Sequence, residues 1–203
     1  MVTFRQVDPL FAIDLSNPAS PAVLGYLKIE GVSDYLHPYD ETHLIGIGRD
    51  ANESGSIKGL KIALFDVSDA SSIREISKII VGDSGTYSDA LYDHKAFLFS
   101  KNRSLLVIPV SLVEGDKWKA FQGAYVFSID LENGIALKGR ITHQNESSNE
   151  TYWDYNMNVR RALYIGDVLY TISDARAMAN SLENLSEISK LEIPVYSIPV
   201  IYY

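Results

Sequence analysis

Asp34, Asp89 and Asp154 each stand just ahead of an apolar, strand-like segment. Carboxylates gathered round one opening can divide general-acid and general-base work when their surroundings separate their pKa values. The plainer reading, which the sequence favours, is turn chemistry repeated with the segment it precedes. His37 and His94 follow two of these aspartates, and Asp93 adjoins the second histidine. Such oxygen and imidazole groups suit a divalent cation. No short ligand motif joins them, however, so neither a metal nor a cofactor is expected. Trp118 sits in a long polar insertion, and Trp153 lies in the aromatic run Tyr152-Trp153-Asp154-Tyr155. Exposed aromatic rings of this kind serve binding surfaces. Asp34, His37, Asp89, Asp93, His94, Trp118, Trp153 and Asp154 therefore form the candidate binding set.

Gly82-Asp83-Ser84-Gly85 resembles the nucleophile loop of trypsin-like proteases, but Thr86 stands where that pattern needs glycine. Neither His37 nor His43 has the matching upstream motif. A Gly-rich connection between elements is the better reading.

These residues need a scaffold, and composition bounds it. With 203 residues, 46% of them hydrophobic and 22% charged, the chain can bury a sizeable core. Its formal net charge of −8 argues against nucleic acid or an anionic membrane as partner, because both demand clustered Lys and Arg. Lys101–Arg103, Lys117–Lys119 and Arg160–Arg161 are each no larger than a solvated loop. The chain has no cysteine, which excludes disulfides, thiolate metal sites and a cysteine nucleophile. No apolar run approaches membrane-spanning length, and the N-terminal residues lack the apolar core of an export signal.

The chain repeats itself. Glu75-Ile76-Ser77-Lys78 recurs as Glu187-Ile188-Ser189-Lys190, and Gly25–Ile29 and Leu137–Ile141 fall in the same pattern. The basic residues Lys28, Lys78, Arg140 and Lys190 are spaced by 50, 62 and 50 residues. A second landmark keeps this register: apolar residues run into Asp14, Asp66 and Asp130, followed by turn residues and then the basic strand. The fourth copy, Met178–Leu182, is degraded. Two more apolar segments precede each pair: Tyr35–Tyr39 and His43–Gly48, His94–Phe99 and Leu105–Val110, Arg161–Ile165 and Val168–Ile172. Gly166-Asp167 between the last two suits a tight hairpin.

Four short strands per ~50 residues, punctuated by turns, predict an all-β fold of the β-propeller type. A sandwich has no reason to repeat its sequence every fourth strand. The predicted organisation is a half blade over 9–31, blades over about 32–82, 83–144 and 150–194, and a closing strand over 195–203. Ser181–Lys190 has some helical spacing, but its register favours a hairpin. The 62-residue step is explained by an insertion at Ser111–Gln122, expected on the same face as the Asp34 and Asp89 connections. Three and a half blades fall short of the ~4–8 that close a ring. Either the ends meet as four blades or earlier blades are missing, in which case raw edges invite a homodimer.

Ser33–Asp40, Leu44–Gly48, Ala90–Phe97 and Leu163–Asp167 carry a resemblance. They are similar to the secreted archaeal and bacterial proteins whose C-terminal β-propeller is distantly related to WD40 repeats. The resemblance implies a longer parent protein and an extracellular or cell-surface setting, but no reaction. Sequons at Asn52, Asn102, Asn145, Asn149 and Asn184 fit that setting. Turns rich in Asn, Ser and Thr produce the same tripeptides. The expected function is a non-catalytic module that binds protein or glycan. An extracellular glycoside hydrolase and a purely structural repeat are the alternatives.

Overall fold

The computed structural model describes residues 9–52, 54–115, 117–144 and 153–195, without the side chains of Trp118 and Lys119. The described chain is all-β. Strands β1 (Leu10–Asp14) and β2 (Ala22–Leu27) form a hairpin by themselves. Three antiparallel four-stranded sheets follow in chain order. The first is β3 (Val32–Pro38), β4 (His43–Ala51), β5 (Ile57–Asp66) and β6 (Arg74–Val81). The second is β7 (Leu98–Ser100), β8 (Leu105–Glu114), β9 (Lys117–Asp130) and β10 (Gly134–Ile141). The third is β11 (Arg161–Ile165), β12 (Val168–Ile172), β13 (Arg176–Ser181) and β14 (Glu187–Glu192). Single 3-10 turns at Asp89–Leu91, His94–Ala96, Lys101–Arg103 and Tyr155–Met157 are the only helical elements among the described residues. Among the described residues no helix is long and apolar enough to cross a membrane.

Each sheet is a meander, so its neighbours in sequence are its neighbours in space. Residues 181–190 form the β13–β14 hairpin, as the repeat register requires. The register has a structural counterpart. In each of the four outer hairpins the last strand carries one unpaired extra residue: Leu24, Ile76, Lys138 and Ile188. A bulge adds local twist and bends the strand. Three of these bulges fall two residues before the basic residue that marks the repeat.

Two apolar layers hold the blades together. Ile45, Ile47, Ile62 and Leu64 of the first blade meet Tyr125, Phe127 and Ile129 of the second. Leu105, Val107, Ala124 and Val126 on the second blade's other face meet Leu169, Met178 and Leu182 of the third. The outer hairpin also approaches its neighbour closely. A Cβ on Gly25 would lie 2.2 Å from the Ala70 carbonyl oxygen, so only glycine fits there.

Two local expectations are corrected. His94–Phe99 is not one strand: His94–Ala96 turns, capped by Asp93, and only Leu98–Ser100 pairs. The Asp93 side chain accepts from the Lys95 amide, which rewards the turn over extension. The Ser111–Gln122 insertion is no loose loop but a continuation of β8 and β9, with Ser111 opposite Gln122 and Leu112 opposite Phe121. Leu112 and Val113 are buried there, against the Gly82–Thr86 connection. Gly82 and Gly85 both have positive φ, and Asp83 accepts from the Gly115 amide at 2.7 Å. The Gly-rich segment is a connection that clasps the extended hairpin. The expected closing strand, apart from Val195, lies outside the described residues.

His143 ties the second blade to the third. It is fully buried, with Nδ1 2.9 Å from the Ser173 hydroxyl and Nε2 2.9 Å from the Thr171 hydroxyl. Burial, with Arg176 nearby, lowers its pKa from 6.5 to about 4. The unfolded chain therefore binds a proton at this histidine between pH 6.5 and 4 that the folded chain refuses. Its contribution is whole above pH 6.5 and is lost as pH falls towards 4, amounting to about 3 kcal/mol at about 1.4 kcal/mol per pH unit. Urea unfolding at stepped pH should show this slope, and His143→Gln should flatten it. An equal slope in the variant would assign the loss to other groups.

Candidate functional site

Antiparallel pairing sends the β8–β9 hairpin and the connections entering β3, β7 and β11 to one end of the blades. On that end an open groove of about 600 Å³ lies between the second and third blades, lined by Tyr87, Asp89, Tyr92, Asp93, Arg160, Arg161 and Asp174 among others. It runs into a hollow of about 180 Å³ that shares Tyr87, Asp89 and Arg160 and adds Gln122 and Asn158. A second hollow of about 180 Å³ continues from Ser111 and Asn158 to Phe121, Trp153 and Tyr155.

Local turns position these groups. Ser88 caps the Asp89–Leu91 turn by accepting from the Ala90 amide, which presents Asp89 and leaves Tyr92 largely exposed. Tyr87 and Tyr92 stack with ring centroids 6.4 Å apart and planes 25° from parallel. Burial raises the Tyr87 pKa, and the neighbouring Asp89 adds to it. On the opposite wall, Asp154 caps Tyr155–Met157 by accepting from the Asn156 amide at 2.9 Å. Trp153 Nε1 and Gln144 Nε2 both donate to Asn158 Oδ1, at 3.1 Å each. Gln122 fixes the same segment from the second blade: its Nε2 donates to the Val159 carbonyl, and its Oε1 accepts from the Val159 amide.

The charges are paired across the blades. Arg161 of β11 donates to Asp93. A bond from the Lys95 amide, and then Arg161, lowers the Asp93 pKa, so it stays an acceptor at neutral pH. Arg160 lies 3.7 Å from Asp89 and 4.0 Å from Asp174, beyond hydrogen-bond reach of both. With no hydrogen bond to either carboxylate, its donors are available to a third group.

Of the eight candidates, Asp89 and Asp93 line the groove, and Trp153 lines the second hollow. Asp154 acts behind it, as the cap that sets Tyr155. Asp34 is the bulged residue of β3 and belongs to the first blade, where Arg49 Nε and Nη2 donate to it at 3.1 and 2.9 Å. Tyr92 is near enough to Arg49 to help raise its pKa, which puts Asp34 beside the groove rather than in it. His37 is packing: its ring centroid lies 4.7 Å from Phe97 and 5.5 Å from Phe99, and Tyr35 Oη meets its Nδ1 at 3.0 Å. Burial lowers its pKa. His94 is exposed within its 3-10 turn. The Trp118 side chain lies outside the described residues, although its backbone is in β9. Among the described residues no three His, Asp or Glu side chains gather as a metal cluster would need.

Tyr87, Tyr92, Arg160 and Arg161 were not singled out by the sequence reading. Arg160-Arg161 looks like a solvated pair until the blades bring it opposite Asp89 and Asp93, more than sixty residues away in the chain.

A family model described as a beta propeller domain matches residues 1–185. An uncharacterized protein of Archaeoglobus fulgidus is 35% identical over 191 residues, covering 93% of this chain and 25% of that protein. An uncharacterized protein of Methanocaldococcus jannaschii is 34% identical over 196 residues, covering 97% of this chain and 27% of that protein. The chain thus spans about a quarter of the length of these relatives. A matching family model over most of the chain and three consecutive four-stranded meanders point the same way, and the chain belongs to the β-propeller domain family.

Proposed function

We propose that this chain is a non-catalytic recognition module that binds glycan in the groove between its second and third full blades. The stacked, exposed Tyr87–Tyr92 pair beside paired Asp and Arg groups carries this reading. Sugar rings offer apolar faces to aromatic side chains, and their hydroxyls both donate and accept. Arg160 supplies free donors, and Asp89, Asp93 and Asp174 supply acceptors.

The pairing also favours binding over hydrolysis. A glycosidase needs one carboxyl group holding a proton and a second across the scissile bond. Here the Lys95 amide and Arg161 hold the Asp93 pKa down, and the Arg160 guanidinium stands 3.7 Å from Asp89 and 4.0 Å from Asp174.

We place the module at the cell surface or outside the cell. Asn102 and Asn184 are exposed sequon residues at the blade ends opposite the groove, where glycans would leave it open.

A glycan array followed by titration of the best ligand tests the proposal. Tyr92→Ala should weaken binding about tenfold through lost stacking. Arg160→Ala should weaken it about ten- to hundredfold through lost charged hydrogen bonds. Both variants should keep the wild-type unfolding midpoint, since both side chains are exposed. Turnover of the glycan, abolished by Asp89→Asn, would replace this reading with the hydrolase. Binding that neither variant weakens would move the site elsewhere.

A further inference from the structure

The groove does not end at Arg160. The hollow beside it is walled by Ser111, Gln122 and Asn158 as well as by Tyr87, Asp89 and Arg160. Ser111 and Asn158 also border the second hollow, whose far wall is Leu112, Phe121, Trp153 and Tyr155. From one end to the other, the cleft is an aromatic pair, a polar waist and a second aromatic cluster.

The second cluster is fixed before any ligand arrives. Trp153 Nε1 donates to Asn158 Oδ1 at 3.1 Å, and Gln144 Nε2 donates to the same oxygen. Phe121 has the Arg140 guanidinium over its ring, 4.8 Å from the centroid, and Tyr125 edge-on at 5.5 Å. Rings held by their neighbours lose little freedom when a ligand lies on them.

The waist selects one kind of group. Gln122 is buried and commits both its amide atoms to Val159. A ligand there meets Asp89, which accepts, and Arg160, which donates, 3.7 Å apart. A hydroxyl group satisfies both at once, because it donates to a carboxylate and accepts from a guanidinium. An apolar peptide side chain would leave both charges desolvated and unpaired.

We infer that the ligand is a linear oligosaccharide of at least three residues, with consecutive rings on Tyr87–Tyr92, in the waist and on Phe121–Trp153. The inference rests on the glycan reading and adds to it a chain length and a second platform. A sugar chain repeats an apolar face and a rim of hydroxyls at every ring, which is the alternation that the cleft presents.

Calorimetric titration with one to five residues of the best linear array ligand tests it. Affinity should rise at each step to the trisaccharide, the third residue adding about three- to tenfold. Trp153→Ala should erase that last step, so that di- and trisaccharide bind alike. Trp153→Phe, which keeps an aromatic face and loses the bond to Asn158, should retain most of it. Tyr92→Ala should weaken every length. Equal affinity at all lengths, or a third step that survives Trp153→Ala or vanishes in Trp153→Phe, would overturn the inference and leave glycan binding standing. An array on which no glycan binds would overturn both.

Discussion

Truncating Phe127 to alanine should cost about 3–5 kcal/mol of unfolding free energy. The ring is fully buried in the layer between the first and second blades, with its centroid 6.0 Å from that of Tyr125. Neither wall of the resulting cavity can collapse easily. β9 is paired on both sides, by β8 and β10, and β4 and β5 hold the facing wall. Urea unfolding should show a lower midpoint with an unchanged slope. A loss below about 1 kcal/mol, the size of a typical surface change, would mean that the two sheets do not close on each other at this point.

The second large effect concerns a lysine that composition would place on the surface. Lys61 in β5 is fully buried and donates to the Glu30 carbonyl at 2.8 Å, joining the first full blade to the segment that follows the outer hairpin. Burial lowers its pKa, while Glu75 and Asp50 oppose that effect. Asp50 Oδ1 and Glu75 Oε2 are buried and make no hydrogen bond, Lys78 lies 3.6 Å from Glu75 Oε1, and the Lys61 ammonium adds a second positive charge to this cluster. Lys61→Met keeps the volume and removes the charge, leaving buried carboxylate without it. The expected cost is about 3–5 kcal/mol. Adding Asp50→Asn and Glu75→Gln should return most of it. If Lys61→Met alone matched the wild type in urea at neutral pH, the lysine would be a spectator of its neighbours.

Much of the architecture was legible because each blade is a local object. Its four strands are consecutive, and turn residues such as Gly166-Asp167 and the aspartates at 14, 66 and 130 mark where the chain reverses. Asp66 shows why the last landmark recurs: it accepts from the Ser68 amide and hydroxyl and pairs with Arg74 across the hairpin. These bonds hold its pKa at about 2, so the cap remains charged at any ordinary pH. The outer-strand bulges were not legible, because a bulge leaves no mark in the pattern of residue types.

The groove and its hollows were less legible. Asp89, Asp93 and Trp153 were found from their residue types and their places before strands. His37 looked equivalent to His94 in sequence, yet one packs on Phe97 and Phe99 while the other is solvent-exposed. Strand alternation explains part of this difference, since it turns β3 side chains to opposite faces. The remainder comes from the 3-10 turns before β7, which no periodicity announced.

The sequence by itself determined that this protein is a meander of short strands repeating every fourth strand. Hydrophobic alternation and turn chemistry act over a few residues and need no distant partner. Only the tertiary structure decided which charges meet, setting Arg160 and Arg161 against Asp89 and Asp93, and Lys61 among Asp50 and Glu75. Those encounters depend on the angle at which one sheet stacks on the next, a property of packed surfaces that no segment carries alone.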